Sequence, residues 1–275
     1  MISEIFKFHN LEKISSQRRT SIYASLKRLF FSFFSKRSIS QEYDSIWSNK
    51  NIQNFKKTTS MKRSIFYKGD FYNAPLWFLN AFYINFIERE ITLKNPNLVY
   101  ELGSGNGLNI FALAAKFPDI KFIGFELTNE GVAQSNIIKK DPIKFLDAYN
   151  FIYSTSLTQV NFDFKNVNFY RKDVSEHNTF QRADFLYTIL ALEQMNSVFD
   201  EVVNGLSTYV KGDIVLIEPF LDFNRNINEY LFLKSKGYLY QDSKKLRNLC
   251  NNDMKKIIEL PSKQKFNVGA LKFSI

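Results

Sequence analysis

The sequence is poor in the residues that build thiol and imidazole sites. Its 275 residues include one cysteine, Cys250, and two histidines, His9 and His177. One cysteine excludes an internal disulfide and a thiolate cluster, and two histidines are too few for a histidine-rich metal site. We therefore predict no metal centre, and we expect a reducing, cytoplasmic environment.

Long apolar runs are also lacking. No run approaches the roughly 18 residues of a membrane span, and the first residues do not have the pattern of a secretion signal. Hydrophobic side chains nevertheless make up 45% of the chain and aromatic ones 16%, with 29 Phe. This composition is too apolar for a disordered protein, and the chain is large enough for one α/β domain with additions.

Excess positive charge is absent from most of the chain. The net charge is +10, and residues 1–68 contain 14 basic and 4 acidic side chains, whereas residues 69–275 contain 23 of each. This change in composition predicts a basic, aromatic-rich helical extension over residues 1–68 and a separate domain over residues 69–275.

Residues 21–40 predict an amphipathic helix within this extension. Lys and Arg flank an apolar stripe that recurs at helical spacing and consists of Ile22, Leu26, Leu29, Phe30, Phe33 and Phe34. A basic helix with a Phe-rich face suits an anionic membrane surface. Packing of the stripe on the domain, or binding of nucleic acid through the basic residues, remain alternatives.

Residues 98–109 organise the rest of the chain. An apolar strand ends at Glu101, a helix begins near Leu108, and between them three glycines alternate at Gly103, Gly105 and Gly107. A glycine turn between strand and helix lets the backbone approach a ligand closely. The spacing fits neither a dinucleotide fingerprint nor a Walker loop. An acid at the strand end would repel pyrophosphate but suits a ligand with cationic groups.

Further strands alternate with helices after this stretch. Residues 121–126 predict a second strand that also ends in an acid, Glu126, and residues 167–171 predict a third that leads to Asp173. A carboxylate at the end of the second strand can accept hydrogen bonds from ribose hydroxyls. A fourth strand begins at residue 184, a Gly-Asp turn precedes a fifth that ends at residue 218, and residues 255–273 predict a closing antiparallel pair.

The pattern Glu-x-Gly-x-Gly-x-Gly resembles motif I of the class I S-adenosylmethionine (SAM)-dependent methyltransferases, and Glu126 and Asp173 match later acidic positions of that family. The resemblance spans roughly residues 95–275. It implies a Rossmann-like, doubly wound, mostly parallel seven-stranded sheet with a C-terminal antiparallel strand pair. It also implies SAM as cofactor and S-adenosylhomocysteine (SAH) as product.

The resemblance assigns site residues position by position. Cofactor binding falls on the glycine loop, the strand-end acids and their neighbours: Glu101, Gly103, Ser104, Gly105, Asn106, Gly107, Glu126, Leu127, Asp173, Val174 and Ile189. Segments before motif I often cover the acceptor in this family. On that analogy, substrate contacts are Tyr67, Tyr72 and Trp77, for which aromatic packing is the alternative, together with Glu218 at the end of the fifth strand.

A hydroxyl acceptor needs a general base, whereas an anionic acceptor does not. Glu193 lies in the loop that resembles motif IV and is the first candidate for this base. Its alternatives are a structural role and an anchor for the SAM ammonium. His177 is the second candidate; it would act only if its loop folds inward, and otherwise it is an ordinary loop residue.

Two segments outside the motifs carry their own predictions. Residues 41–68 read as helix and loop, and a helix capped by Asn73 should then run to about Glu90. The interval between Glu126 and Asp173 is longer than one helix and loop require, which predicts an added helical segment over about residues 141–163. That segment would shape an acceptor site or a dimer contact.

We therefore predict a SAM-dependent methyltransferase that acts on oxygen of a small molecule or glycan. A surface-polysaccharide precursor would explain the basic helix and would place the protein in the cytoplasm, peripheral at the inner membrane face. The chain lacks the Asn/Asp-Pro-Pro-Tyr/Phe tetrapeptide used to methylate base amines, which weakens a nucleic-acid function. The alternatives are an RNA methyltransferase that uses the basic extension and a scaffold subunit without activity.

Overall fold

The computed structural model describes residues 11–14, 61–142, 163–176, 181–195, 198–220, 257–263 and 268–275. Three predictions lie outside the described residues: the amphipathic helix over residues 21–40, most of the added segment over residues 141–163, and the loop that carries His177.

The described residues form eleven strands, four α-helices and two 3-10 helices, Phe164–Asn166 and Leu192–Gln194. The strands are β1 (Glu12–Lys13), β2 (Lys62–Tyr67), β3 (Asp70–Pro75), β4 (Leu98–Leu102), β5 (Lys121–Glu126), β6 (Val167–Arg171), β7 (Ala183–Ile189), β8 (Val210–Glu218), β9 (Ile258–Leu260), β10 (Ser262–Lys263) and β11 (Val268–Ser274). The helices are α1 (Leu76–Lys94), α2 (Leu108–Ala114), α3 (Asn129–Lys140) and α4 (Phe199–Tyr209). None of these described helices is long and apolar enough to cross a membrane.

The main sheet has seven strands in the order β6-β5-β4-β7-β8-β11-β9. Strands β4 to β8 run parallel, and β11 pairs antiparallel with both β8 and β9. The predicted fold class is thereby confirmed. All five residues of β4 are buried, as expected for a strand that is covered on both faces.

Helices cover the two faces of this sheet. Ile87 of α1 and Phe111 of α2 belong to the hydrophobic cluster on one face. Val202 and Leu206 of α4 belong to the cluster on the other face. The doubly covered parallel sheet fixes where each strand ends, and those ends carry the candidate site.

Strands β4 to β8 all end at one edge of the main sheet, which we call the carboxyl edge. Strand β9 ends and β11 begins at this edge too, because Leu260 pairs with Val268 and Gly269 pairs with Glu218. Helix α1 starts here at Leu76 and runs toward the opposite edge, where Lys94 pairs with Asp213 at 2.8 Å.

A second sheet of four antiparallel strands, in the order β1-β3-β2-β10, lies at the carboxyl edge. Its position follows from β10, which directly follows β9 and pairs with β2. The Tyr83 hydroxyl of α1 strengthens this connection by donating a hydrogen bond to the Pro261 carbonyl oxygen at 2.7 Å. We call this sheet the small sheet.

The prediction for residues 61–75 is wrong. They form the hairpin of β2 and β3 rather than helix and loop, and Asn73 lies in β3 instead of capping a helix. The hairpin turns at Lys68 and Gly69, whose φ angles are 50° and 90°, as in a type I′ turn. Helix α1 begins after Pro75 and extends four residues beyond Glu90, to Lys94.

The expected Gly-Asp turn before the fifth strand is also wrong, because β8 already begins at Val210. Gly212 lies within the strand, where a Cβ atom would come within 2.2 Å of the Asp184 carbonyl oxygen. Glycine is needed at this position because the absence of a side chain lets the neighbouring backbone approach closely.

Candidate cofactor and catalytic site

The carboxyl edge brings most of the predicted site residues together. The glycine loop follows β4, Glu126 ends β5, and Asp173 follows β6. Ile189 ends β7 and Glu218 ends β8, with Glu193 in the turn after β7. In open parallel sheets ligands bind outside the carboxyl ends of the strands, so this edge is the candidate site.

The glycine loop requires glycine for two reasons: the backbone is left-handed at these positions, and a side chain would collide with neighbouring residues. Gly103, Gly105 and Gly107 have φ angles of 71°, 56° and 77°, in the left-handed region. A Cβ atom on Gly103 would lie 2.6 Å from Cβ of Ala191, and one on Gly107 would lie 2.4 Å from Cζ of Phe169. The loop is therefore packed closely on its neighbours, and its backbone can face a ligand.

Glu126 holds the glycine loop in place. The side chain is 7% exposed, and its Oε2 atom accepts a hydrogen bond from the Gly105 amide at 2.8 Å. Its Oε1 atom accepts from the amide and the hydroxyl of Thr128 at 3.0 and 2.7 Å. Since each carboxylate oxygen accepts about two hydrogen bonds, Oε2 keeps one acceptor position for a further donor.

Helix α3 supports this arrangement through residues that sequence reasoning missed. The Thr128 hydroxyl accepts from the Gly131 amide at 3.2 Å and so caps the helix while it orients Glu126. The Ser135 hydroxyl donates to the Gly105 carbonyl oxygen at 3.3 Å. A Cβ atom on Gly131 would lie 2.7 Å from Cγ of Glu126, so this glycine lets the helix approach. The sequence indicates that a helix begins near Thr128, but it gives no indication of these contacts across the fold.

Glu101 is a carboxyl group buried at the edge of the glycine loop. It is 1% exposed, and no ion pair to it exists among the described residues. Burial raises its pKa to about 8, an effect that the hydrogen bond from Asn109 and the nearby Tyr187 hydroxyl partly offset. The Asn109 amide donates to Oε1 at 2.8 Å. A cationic group would compensate this buried carboxylate.

Asp173 begins a turn beside β5, and residues 172–176 are called the Asp173 loop below. Asp173 Oδ1 accepts from the amide and the hydroxyl of Ser175 at 2.9 and 2.7 Å. The Lys172 amide donates to the Glu126 carbonyl oxygen at 2.9 Å. Val174 is buried, while Leu127 on the neighbouring strand end is 40% exposed.

The turn after β7 is held by Glu218. This fully buried carboxyl group accepts hydrogen bonds from the Thr188 hydroxyl at 2.7 Å and from the amides of Ala191 and Leu192 at 3.0 and 3.1 Å. Burial raises its pKa to about 7, against the effect of these donors. The geometry gives Glu218 a structural role, and substrate contact stays a prediction.

Glu193 lies within the turn that Glu218 supports. It is 3% exposed, and its amide donates to Glu218 Oε2 at 3.3 Å. Burial raises the pKa of Tyr83, and the charge of the nearby Glu193 acts in the same direction. Leu190, the first residue of the turn, has a φ angle of 53°. A left-handed leucine is strained, and such strain persists where surrounding contacts determine the backbone.

Comparisons with solved structures decide the fold. The N-methyltransferase NodS from Bradyrhizobium japonicum, in complex with SAH, is 7% identical, with a TM-score of 0.55 over 86% of this chain and 98% of its own. An O-methyltransferase family protein from Burkholderia thailandensis is 11% identical, with a TM-score of 0.54 over 92% and 69%. The plantazolicin methyltransferase BpumL, also with SAH, is 14% identical, with a TM-score of 0.51 over 92% and 96%.

The chain has the class I methyltransferase fold. No family model matches the sequence, and no curated protein does. At these identities the likeness concerns the fold alone.

Within the methyltransferase fold, the predicted acceptor contacts lie on the small sheet and at the start of α1. Tyr67 and Tyr72 share the sheet face of Ile65, which is buried in the core. The Tyr67 ring lies 6.3 Å from that of Phe82, and Trp77 packs against the core cluster. All three aromatic side chains therefore lie near the carboxyl edge. Their positions agree both with acceptor binding and with aromatic packing.

The described ranges contain no group of three or more His, Cys, Asp or Glu side chains that could hold a metal ion.

Ser104 is oriented unlike the other loop residues. It is 5% exposed, its hydroxyl makes no hydrogen bond, and a Cβ atom on Gly124 of β5 would lie 2.6 Å from this oxygen. The hydroxyl thus points toward the apolar layer over β5, where Ile110 also packs. If Ser104 contacts a cofactor, this geometry assigns the contact to its backbone.

We expect Ser104→Ala to increase the free energy of unfolding by about 1 kcal/mol, because it removes a buried hydroxyl without a partner. Urea unfolding followed by circular dichroism measures this change. The matched control is Ser135→Ala, which should lower stability by about 1 kcal/mol because its hydroxyl donates to backbone. Destabilisation by Ser104→Ala would contradict the orientation described here.

Proposed function

We propose that this protein transfers a methyl group from SAM to an acceptor. One observation carries the proposal: two buried carboxyl groups, Glu101 and Glu126, flank a left-handed glycine loop at the carboxyl edge of the sheet. The methyltransferase fold of the solved neighbours, two of them with SAH, supports it.

The residues present fit SAM group by group. Glu101 offers a buried carboxylate to the ammonium, and Oε2 of Glu126 offers an acceptor position to a ribose hydroxyl. Asp173 uses Oδ1 within its own turn, which leaves Oδ2 for the adenine amino group. The closely packed backbone of the glycine loop lies between Glu101 and Glu126. Bound SAM would supply a methyl group that its sulfonium has already activated.

The protein's own contribution is alignment and exclusion of water. The Glu218 carboxyl fixes the turn that bears Glu193, and Gly103 of the glycine loop packs on Ala191 of the same turn. The cofactor loop and the turn where an acceptor would meet it are thus in direct contact. We assign Glu193 as the base that a hydroxyl acceptor requires; His177 is the second candidate.

For the acceptor we propose oxygen of a small molecule or glycan, such as a surface-polysaccharide precursor. The basis is the sequence of residues 21–40, whose basic, Phe-rich stripe suits an anionic membrane surface. The protein would then be cytoplasmic and peripheral at the inner membrane face. RNA methylation is the competing function, and it would show steep loss of RNA affinity with salt.

We expect Phe30→Ser, Phe33→Ser and Phe34→Ser, combined in one variant, to abolish co-sedimentation with phosphatidylglycerol vesicles, because the apolar face provides the insertion energy. Phe31→Ser is the matched control, since Phe31 lies off the stripe. Undiminished vesicle binding by the triple variant would remove the membrane proposal and leave the catalytic one intact.

We expect Glu126→Ala to weaken SAH binding by at least tenfold, about 1.4 kcal/mol, because the change removes a ribose acceptor and the hydrogen bond to Gly105. Isothermal titration calorimetry with SAM and SAH gives the affinities. Glu130→Ala, four residues along in α3, is the control and should bind as wild type. Absence of binding to wild-type protein would overturn the proposed function.

We expect SAH affinity to rise with pH between pH 6 and 8. The pKa of Glu101 is raised from 4.5 to about 8, so the ligand-free carboxyl group is mainly neutral at pH 7, and binding an ammonium must release its proton. By the same linkage the ligand-free fold loses stability as pH rises from 4.5 to about 8.

Calorimetry in buffers of different ionisation enthalpy counts the released proton. Glu101→Gln keeps the shape of the side chain, and it should bind more weakly with little proton release. Equal proton release in wild type and Glu101→Gln would show that another group titrates.

A further inference from the structure

We propose that Tyr209 and Lys172 are positioning residues that set the Asp173 loop for adenine recognition. This inference rests on the proposed function, because it takes the Asp173 loop as the part of the site beside the adenine. Neither residue belongs to a motif of the sequence. Tyr209 reaches the loop from the end of α4, and Lys172, the first residue of the loop, packs on the rings of Tyr209 and Phe125.

Tyr209 is the last residue of α4 and is 1% exposed. Its hydroxyl donates to the carbonyl oxygens of Val174 and Glu176 at 3.1 and 2.9 Å. Burial, followed by the charges of Asp173 and Glu176, raises the pKa of Tyr209 to about 12. The hydroxyl therefore stays protonated, and remains a donor, throughout the physiological range.

Tyr209 connects residues 173–176, the part of the loop that follows Lys172, to the rest of the domain. Asp173, Ser175 and Glu176 bond to one another, which shapes the turn without attaching it to the domain. Among the hydrogen bonds described for residues 173–176, those that reach another element come from Tyr209. The tyrosine thus sets the distance between the turn and the sheet.

Lys172 completes the support from the β5 side. It is 8% exposed, and its ammonium lies 4.8 Å from the ring centroid of Tyr209 and 5.7 Å from that of Phe125. The two rings are themselves in contact, with centroids 5.8 Å apart. A cation over aromatic faces in a buried setting is a favourable contact. The Lys172 amide also donates to the Glu126 carbonyl oxygen, so Glu126 and the adjacent Asp173 are held in fixed relative positions.

The experiment compares Tyr209→Phe with Tyr100→Phe. Tyr100 is a matched control because it is fully buried, packs on the same Phe125 ring and donates its hydroxyl to a backbone carbonyl, that of Gln181, which is not part of the Asp173 loop. Calorimetry with SAH and with S-inosylhomocysteine, which carries a 6-oxo group instead of the 6-amino group, measures affinity and base discrimination. Urea unfolding measures the stability of each variant.

We expect Tyr209→Phe to weaken SAH binding about tenfold and to bring the affinities for SAH and S-inosylhomocysteine closer together. Lys172→Met, which keeps the alkyl chain, should shift both readouts in the same direction. Tyr100→Phe should lose stability and keep both affinities. Wild-type discrimination in Tyr209→Phe and Lys172→Met, or equal losses in Tyr100→Phe, would overturn the proposal. Failure of wild type to bind SAH would overturn the proposed function first.

Discussion

The bidentate engagement of Glu126 is the interaction on which the candidate site depends. One carboxylate joins the end of β5 to the glycine loop through Gly105 and to the start of α3 through Thr128. Burial makes such charge-assisted hydrogen bonds strong, and it also makes them costly to break. The loop conformation, the helix position and the remaining acceptor direction of Oε2 are therefore set together.

A second buried carboxylate organises the neighbouring turn in the same way. Glu218 gathers consecutive amides after β7, and this holds Leu190 in a strained left-handed conformation. Because Gly103 packs on Ala191, the turn cannot shift without disturbing the glycine loop. Two acids at the ends of β5 and β8 thus hold the glycine loop and the turn after β7 in one rigid arrangement.

The sequence was sufficient for the central α/β unit, because its strands are largely apolar and β4, β5 and β8 end in an acid or a glycine turn. It was insufficient wherever a residue acts across the fold. Asn109 on Glu101 and Tyr209 on the Asp173 loop leave no local pattern. The hairpin turn at Lys68 and Gly69 has a local signal in its glycine. That signal was missed because the surrounding basic and aromatic residues were interpreted as helix and loop.

The path of the chain through the two sheets has a consequence for biosynthesis. The glycine loop, Glu126, the Asp173 loop and Glu218 all precede residue 220, whereas β10 pairs with the early hairpin from near the C-terminus. Since chains fold from the N-terminus as they emerge, the glycine loop and the acids that support it can assemble during translation. The small sheet needs β10, so it is completed later than the glycine loop and the strand-end acids.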